Sequence, residues 1–425
     1  MLSLLKAMIR RKLSNCRVLF CIILTFILLA CEKEEAISVS VPPRIDIVLT
    51  RNETEVLESG KAFSFDLFRN VVNEQESGNV IVSPLSVHVA LNMLANGATG
   101  ETLSQIKKTL GYDNCSIEDL NSAYSSLIEG LKKVDTSTDL YSANSLWIDK
   151  GIPVADDYSN RLSSNYAAFV SNIDLHSGKA EGIINEWCRK QTNGFISNAS
   201  PRIMSETVML LVNASYFNGK WKDPFYVQST RQSEFRTLDG TVVMKSFMKQ
   251  ANKHLFGESE DGKVKMCELP FGNGAFVMDI VLPDSTIVFK DFIKELSAEQ
   301  WDSLFSYKAV HNINLSLPKF KFEFECDLKN TLISLGLGLM YDRKNADFSL
   351  ISKDSGLFVS SSTQKTFIEI DEKGAKAAAV TTHKGDVNLL YSPGDTIDFI
   401  ADHPFLFIIR EITSDTIIHI GTIIE

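Results

Sequence analysis

The chain has 425 residues, 44% of them hydrophobic, 23% charged and 9% aromatic, a profile that excludes disordered, collagen-like and polytopic membrane classes. Its 43 basic residues against 53 acidic ones give a net charge of -10. No basic run lies beyond the first seventeen positions, so nucleic acid is not an expected partner.

The opening residues read as an address. Lys6, Arg10, Arg11, Lys12 and Arg17 precede a nearly unbroken apolar run, Val18 to Ala30, of signal-peptide length and short for a membrane span. The run ends Leu28-Leu29-Ala30-Cys31, which is similar to a bacterial lipobox, where the cysteine is acylated after cleavage. An ordinary secretory signal with a chance cysteine, or an uncleaved anchor, is the alternative. Glu32-Lys33-Glu34-Glu35 resembles the surface-export signal of some Gram-negative lipoproteins. The expectation is residues 1–30 as signal, 31–55 as a tether and 56–425 as one domain. The protein would then be held in the cell envelope by a lipid on Cys31 and face the exterior. Losing the signal removes five positive charges and no negative one, leaving 38 against 53 and a net charge of -15. That balance argues against binding anionic headgroups and leaves the anchoring to the lipid. Cys115, Cys188, Cys267 and Cys326 lack metal-type spacing; their even number permits disulfides, and buried free thiols fit as well.

Apolar residues at helical spacing predict a first helix over Val56–Val72. A short strand, Asn79–Val82, leads to Ser83-Pro84, a helix start with Ser83 as N-cap, and a helix to about Ala95. Further helices are predicted over Glu101–Leu110, Ile117–Val134, Pro153–Tyr166, Ala180–Gln191 and Leu328–Leu335. Strands are predicted over Leu140–Ile148, Val208–Phe217, Gly274–Leu282, Ile313–Phe322, Thr363–Ile370, Phe405–Arg410 and Thr416–Ile423. Helices dominate the first half and strands the second without regular alternation, which predicts an α+β fold. No linker interrupts Gly60 to Glu425.

Zincin, P-loop, nucleophile-elbow and dinucleotide motifs are absent, and the seven histidines are scattered. No cofactor or metal is called for. Attention falls instead on the connection after Ile370. Asp371-Glu372-Lys373-Gly374-Ala375-Lys376-Ala377-Ala378-Ala379-Val380 is followed by about twenty mostly polar residues before Phe399. So long a connection inside a compact domain is usually functional. As a helix the alanine run is too short to stand alone. As a strand it places Ala375, Ala377, Ala379 and Thr381 on one face, all small and uncharged, with Lys376 and Lys384 on the other. Such a segment can be pushed between existing strands, where bulk would clash and an unpaired charge would cost several kcal/mol.

Here the sequence resembles the serpin family, over nearly everything from Phe63 to Ile424. The resemblance rests on Asn79-Val80-Ile81-Val82-Ser83-Pro84-Leu85-Ser86 with Gly97-Ala98-Thr99-Gly100-Glu101-Thr102, and on Val212-Asn213-Ala214-Ser215-Tyr216-Phe217-Asn218-Gly219-Lys220-Trp221. Leu317-Pro318-Lys319-Phe320, Ala346-Asp347-Phe348-Ser349, the segment around Gly374 and Asp402-His403-Pro404-Phe405-Leu406-Phe407 complete it. The resemblance implies a large central mixed sheet with two smaller ones, a helix-rich N-terminal half and an exposed reactive-centre loop over about 374–398. It also implies a suicide inhibitor of proteases. The loop is cut, the protease becomes acyl-linked to the new end, and the freed hinge inserts as a strand of the central sheet.

Glu372 matches the family's hinge acid and Gly374 its pivot. Ala375, Ala377, Ala378 and Ala379 match the small inserting positions, Ala375 in place of the usual Ser or Thr. Ser83, Ser86 and Asn213 match the shutter and Trp221 the breach. Gln364 stands where the family often has histidine and can still donate and accept. Family spacing puts the scissile bond within Asn388-Leu389-Leu390-Tyr391. Leu and Tyr there point to a chymotrypsin- or elastase-like serine protease or a papain-like cysteine protease. The expected partner is that protease, met by a monomer. The alternatives are a non-inhibitory serpin-fold surface binding protein and a surface hydrolase.

Overall fold

The computed structural model describes residues 42–75, 77–304, 308–353, 356–375 and 396–425. In chain order its main elements are α1 (Arg51–Ser59), α2 (Lys61–Glu74), β1 (Val80–Val82), α3 (Pro84–Ala95), α4 (Gly100–Thr109), α5 (Ile117–Leu131), β2 (Asp139–Asp149), α6 (Asp156–Tyr166), β3 (Phe169–Ile173), α7 (Ala180–Gln191) and β4 (Met209–Asn218). They continue with β5 (Arg231–Arg236), β6 (Val242–Glu258), β7 (Val264–Pro270), β8 (Phe276–Pro283), α8 (Phe289–Glu295), α9 (Ala298–Leu304), β9 (Lys308–Pro318), β10 (Phe320–Asp327) and α10 (Lys329–Ser334). The last are β11 (Ser361–Asp371), β12 (Gly374–Ala375), β13 (Thr396–Ile400), β14 (Phe405–Glu411) and β15 (Ile417–Ile423). None of the described helices is long and apolar enough to cross a membrane.

The strands form two sheets. A six-stranded mixed sheet runs β10-β11-β4-β2-β3, with β12 lying against β11. A nine-stranded array runs β1-β15-β14-β8-β7-β6-β9-β13, with β5 beside β6. The long strand β6 makes it two smaller sheets in continuity. One end of β6 pairs with β5, and the other pairs with β7. Helix α3 packs against strands of both sheets, β15 on one side and β2 and β4 on the other, and all twelve of its residues are buried. That explains its lack of a polar face. Strands β4, β8, β14 and β15 are likewise covered on both faces, so they read as apolar runs rather than as alternation.

Several expectations are revised. The helix predicted over Val56–Val72 is two helices divided at Gly60. A Cβ there would lie 2.5 Å from the Tyr112 hydroxyl and 2.9 Å from His88, so this glycine lets the chain turn against a packed ring pair. The last part of the range expected as a tether, 31–55, is folded. Helix α1 begins at Arg51, where Thr50 and Glu53 form a capping box. Before it, Ile47 donates its N–H to the Thr413 hydroxyl at 3.2 Å. The strand predicted over Ile313–Phe322 is two strands in different sheets, parted at Lys319, whose N–H donates to the Ser246 carbonyl at 2.8 Å. Ser83 occupies the N-cap position of α3, but its hydroxyl does not cap the helix. Cys115, Cys188, Cys267 and Cys326 are free thiols, the last three buried.

Candidate functional site

Strand β11 pairs with β10 along one edge, and along the other it meets two strands in opposite senses. It runs parallel to β4 from Ser361↔Leu210 to Phe367↔Tyr216. Beyond Phe367 the pairing with β4 stops. The chain turns at Glu372–Lys373 and comes back as β12, antiparallel to β11 with Ile370↔Ala375 and Asp371↔Gly374. On its other side Gly374 bridges Lys220, and Ala375 donates its N–H to the Gly219 carbonyl at 2.7 Å. Gly374 and Ala375 therefore form a short strand wedged between β11 and the chain that leaves β4. Ala375 is fully buried there.

Gly374 is fixed by this geometry. Its φ is +127°, and a Cβ would lie 2.3 Å from the Gly219 carbonyl oxygen and 2.6 Å from the Trp221 nitrogen, positions no side chain tolerates. The turn above it is tied down as firmly. Trp221 donates its ring N–H to the Asp371 carbonyl at 2.9 Å and its backbone N–H to the Lys373 carbonyl at 2.8 Å. Its ring stacks on Phe271 with centroids 4.3 Å apart. The Glu372 carboxylate accepts from Lys319 Nζ at 2.8 Å and from the Thr230 hydroxyl at 2.7 Å. Burial of Glu372 opposes its charge, but these two bonds outweigh it and hold the carboxyl below its usual range.

Lower in the sheet a polar seam crosses the same parallel pair. Gln364 on β11 stands level with Asn213 on β4, which stands level with Asn144 on β2. Gln364 Nε2 donates to Asn213 Oδ1 at 2.9 Å and to the Ser83 carbonyl at 3.0 Å, while its Oε1 accepts from the Ser83 N–H at 2.9 Å. Asn213 Nδ2 donates to Asn144 Oδ1. The Ser83 hydroxyl donates to Ser86 Oγ at 3.0 Å, and Ser86 shares a hydrogen bond with Ser142 at 2.9 Å. Five of these side chains are at most 5% exposed, so breaking the seam strands buried polar groups. One level up, Ser215 Oγ meets the buried His419 Nε2 at 2.9 Å, and burial brings that imidazole down to about 3.

The family model for serpins, described as serine protease inhibitors, matches residues 58–425. The chain belongs to the serpin family. It is 32% identical over 370 residues to leukocyte elastase inhibitor of Sus scrofa, covering 84% of this chain and 96% of that protein. It is 31% identical over 385 residues to Serpin B4 of Homo sapiens, covering 86% and 97%. Among solved structures it is similar to the thermophilic serpin Tengpin in its native state, at a TM-score of 0.81 and 30% identity over 91% of this chain and 97% of that one. Serpin48 of Tenebrio molitor is similar at a TM-score of 0.80 and 26% identity, over 89% and 100%. The serpin fold expected from the sequence is the one observed.

Of the residues singled out in the sequence, Glu372, Gly374, Ala375 and Trp221 meet at the upper end of the β11–β4 pair, and Ser83, Ser86, Asn213 and Gln364 meet in the seam. Ala377, Ala378, Ala379, the window Asn388, Leu389, Leu390 and Tyr391, and Cys31 lie outside the described residues. Sequence reading missed Ser142 and Asn144, and it missed Lys319 and Thr230 as partners of Glu372. Asn144 gave only a weak signal, because Ser142 and Ser145 make it one of three polar residues in the middle of its strand. Lys319 gave no such signal, since it joins Glu372 only through the parting of β9 from β10.

Proposed function

We propose that this serpin is a suicide inhibitor of a chymotrypsin- or elastase-like serine protease, or of a papain-like cysteine protease, cut within Asn388–Tyr391. What carries the reading is the strand begun at Gly374–Ala375. Continued downward, it would lie antiparallel to both β11 and β4. It would replace one parallel ladder by two antiparallel ones, each slightly stronger per residue. The cost is the Gln364–Asn213 bond and the parallel backbone bonds, of which the backbone bonds are replaced by the ladders of the incoming strand. Small residues at Ala375, Ala377 and Ala379 suit a space closed on both sides. The uncut loop cannot reach that state, so the native fold is a kinetic trap. Trapping is then a race between insertion and deacylation of the protease.

The non-inhibitory alternative, a serpin-fold surface binding protein, would call for bulky or charged residues at those inward positions, and the sequence has none. The names of its relatives, elastase inhibitors among them, agree with a protease as partner. The envelope location and the lipid on Cys31 belong to the same reading and rest on the lipobox-like Leu28-Leu29-Ala30-Cys31. The test is incubation with chymotrypsin, elastase, papain and trypsin. An SDS-stable adduct near the summed masses with at least one of the first three is expected. Clean cleavage with fully active protease in every case contradicts the mechanism. For the anchor, labelled fatty acid incorporated by the wild type and not by Cys31→Ala is expected, and equal labelling contradicts it.

A further inference from the structure

His254 on β6 and His311 on β9 stand directly opposite each other in the antiparallel register of those strands. Residues so paired leave the same face of the ladder, with Cβ atoms about 5 Å apart. At that separation two imidazoles can converge on one point. Beyond Asn312 the far edge of β9 is no longer covered by β13, whose pairing begins at Thr396↔Asn312. The two histidines therefore lie one register step past the place where the chain rejoins this sheet.

Their surroundings differ. His254 is 3% exposed, and neither of its ring nitrogens has a hydrogen-bond partner among the described residues. A neutral imidazole carries one N–H donor and one lone-pair acceptor. Leaving both unpaired in the interior costs stability that a phenylalanine of similar shape would not. Burial lowers the basicity of this ring, against a weaker pull from the Asp223 carboxylate and the Glu268 carbonyl, so at neutral pH it is uncharged and keeps a free lone pair. His311 is half-buried. Its ring meets Phe256 edge-on, with centroids 5.8 Å apart, and it forms the side of the pair that an ion in solution can reach.

We propose that His254 and His311 together bind a divalent transition metal of the borderline class, Zn²⁺ first among them, with water completing the coordination. Among the described residues no group of three or more metal-ligating side chains stands together, so the protein supplies two ligands and the ion keeps open positions. The His311 ring has to turn from Phe256 toward His254, to bring the two nitrogens to the separation of about 3.3 Å that tetrahedral Zn²⁺ sets. Asp223 favours positive charge at His254 and so favours the bound ion. Ca²⁺ and Mg²⁺, which seek oxygen, are poorly served by two imidazoles. A bound ion ties β6 to β9 and strengthens the folded state. The site stands whether or not the protein traps proteases.

The experiment titrates the purified protein, free of any histidine tag, with ZnCl2 by calorimetry, and follows its thermal unfolding with and without the metal. Binding is expected, with an unfolding midpoint raised by a few degrees at saturating Zn²⁺, an increase that EDTA reverses and that MgCl2 and CaCl2 do not produce. His311→Ala and His254→Phe should each weaken Zn²⁺ binding at least about tenfold, since disturbing even a ligand's supporting partner costs that much, and should erase the midpoint shift. His176→Ala, which removes a surface histidine beside Asp149, should keep both. Zn²⁺ without effect on the wild type would overturn the proposal, as would undiminished affinity in either His311→Ala or His254→Phe, which would put the ion elsewhere. Should His254→Phe fail to fold, His311→Ala, at a half-buried position, decides the matter alone.

Discussion

At Gly374 the backbone of Gly219, Lys220 and Trp221 leaves no room for a single methyl group. Gly374→Ala should therefore destabilise the intact protein by about 1–3 kcal/mol. It should leave the cleaved form nearly untouched if insertion draws residue 374 into ordinary extended backbone. Guanidinium unfolding of both forms checks this, and equal losses in the two would mean that the strain does not belong to the wedge. A different kind of pressure acts on Glu53, which is 6% exposed. Burial opposes its charge, yet the Thr50 N–H and the hydroxyls of Ser126, Ser122 and Thr50 outweigh it and bring the carboxyl down to about 2. Because the folded value lies below the unfolded one, its stabilisation is complete above about pH 4.5 and drains away as the pH falls toward 2. Glu53→Gln should lower stability at pH 7 by about 1–3 kcal/mol and flatten the decline between pH 4.5 and 2. Parallel pH profiles for the two proteins would contradict this assignment.

Elements were legible where one residue pattern served one environment. Pro84 after Ser83 marked the start of α3, and the apolar runs of β4, β14 and β15 marked strands covered on both faces. Reading failed where a boundary depends on a distant partner. The strands β9 and β10 form one continuous alternation in sequence, and only the separate partners of Pro318 and Phe320 divide them between sheets. Strand β6 was missed because its exposed and buried positions alternate with many polar residues, Lys245, Lys249, Gln250 and Lys253 among them. The hinge was legible as chemistry, since small residues after a glycine state what the space will accept. The ties that hold it shut were not, because Lys319 and Thr230 reach Glu372 only in the folded chain. At this scale Ala377→Arg is the decisive substitution. A guanidinium on the inward face would have to be buried between β11 and β4, which costs several kcal/mol. The variant should be cleaved and release active protease, with adduct yield on gels falling at least tenfold. An undiminished yield would mean that this residue never enters the sheet.

Taken whole, the molecule holds a sheet of five strands in line, two of which, β11 and β4, run parallel and are sealed by a polar seam, with a short sixth, β12, at their upper end. The sequence showed the family and the run of small residues after Gly374. It could not show that Gly374 and Ala375 are already paired, because that depends on the Lys220 bridge and the Gly219 carbonyl. If the native state is a trap, cutting the loop should release free energy rather than lose it. The most direct measurement is thermal or guanidinium unfolding of the protein before and after a single cut within Asn388–Tyr391. The account predicts that the cut form survives tens of degrees, or several molar guanidinium, beyond the intact one. A cut form that melts at or below the intact protein would contradict it.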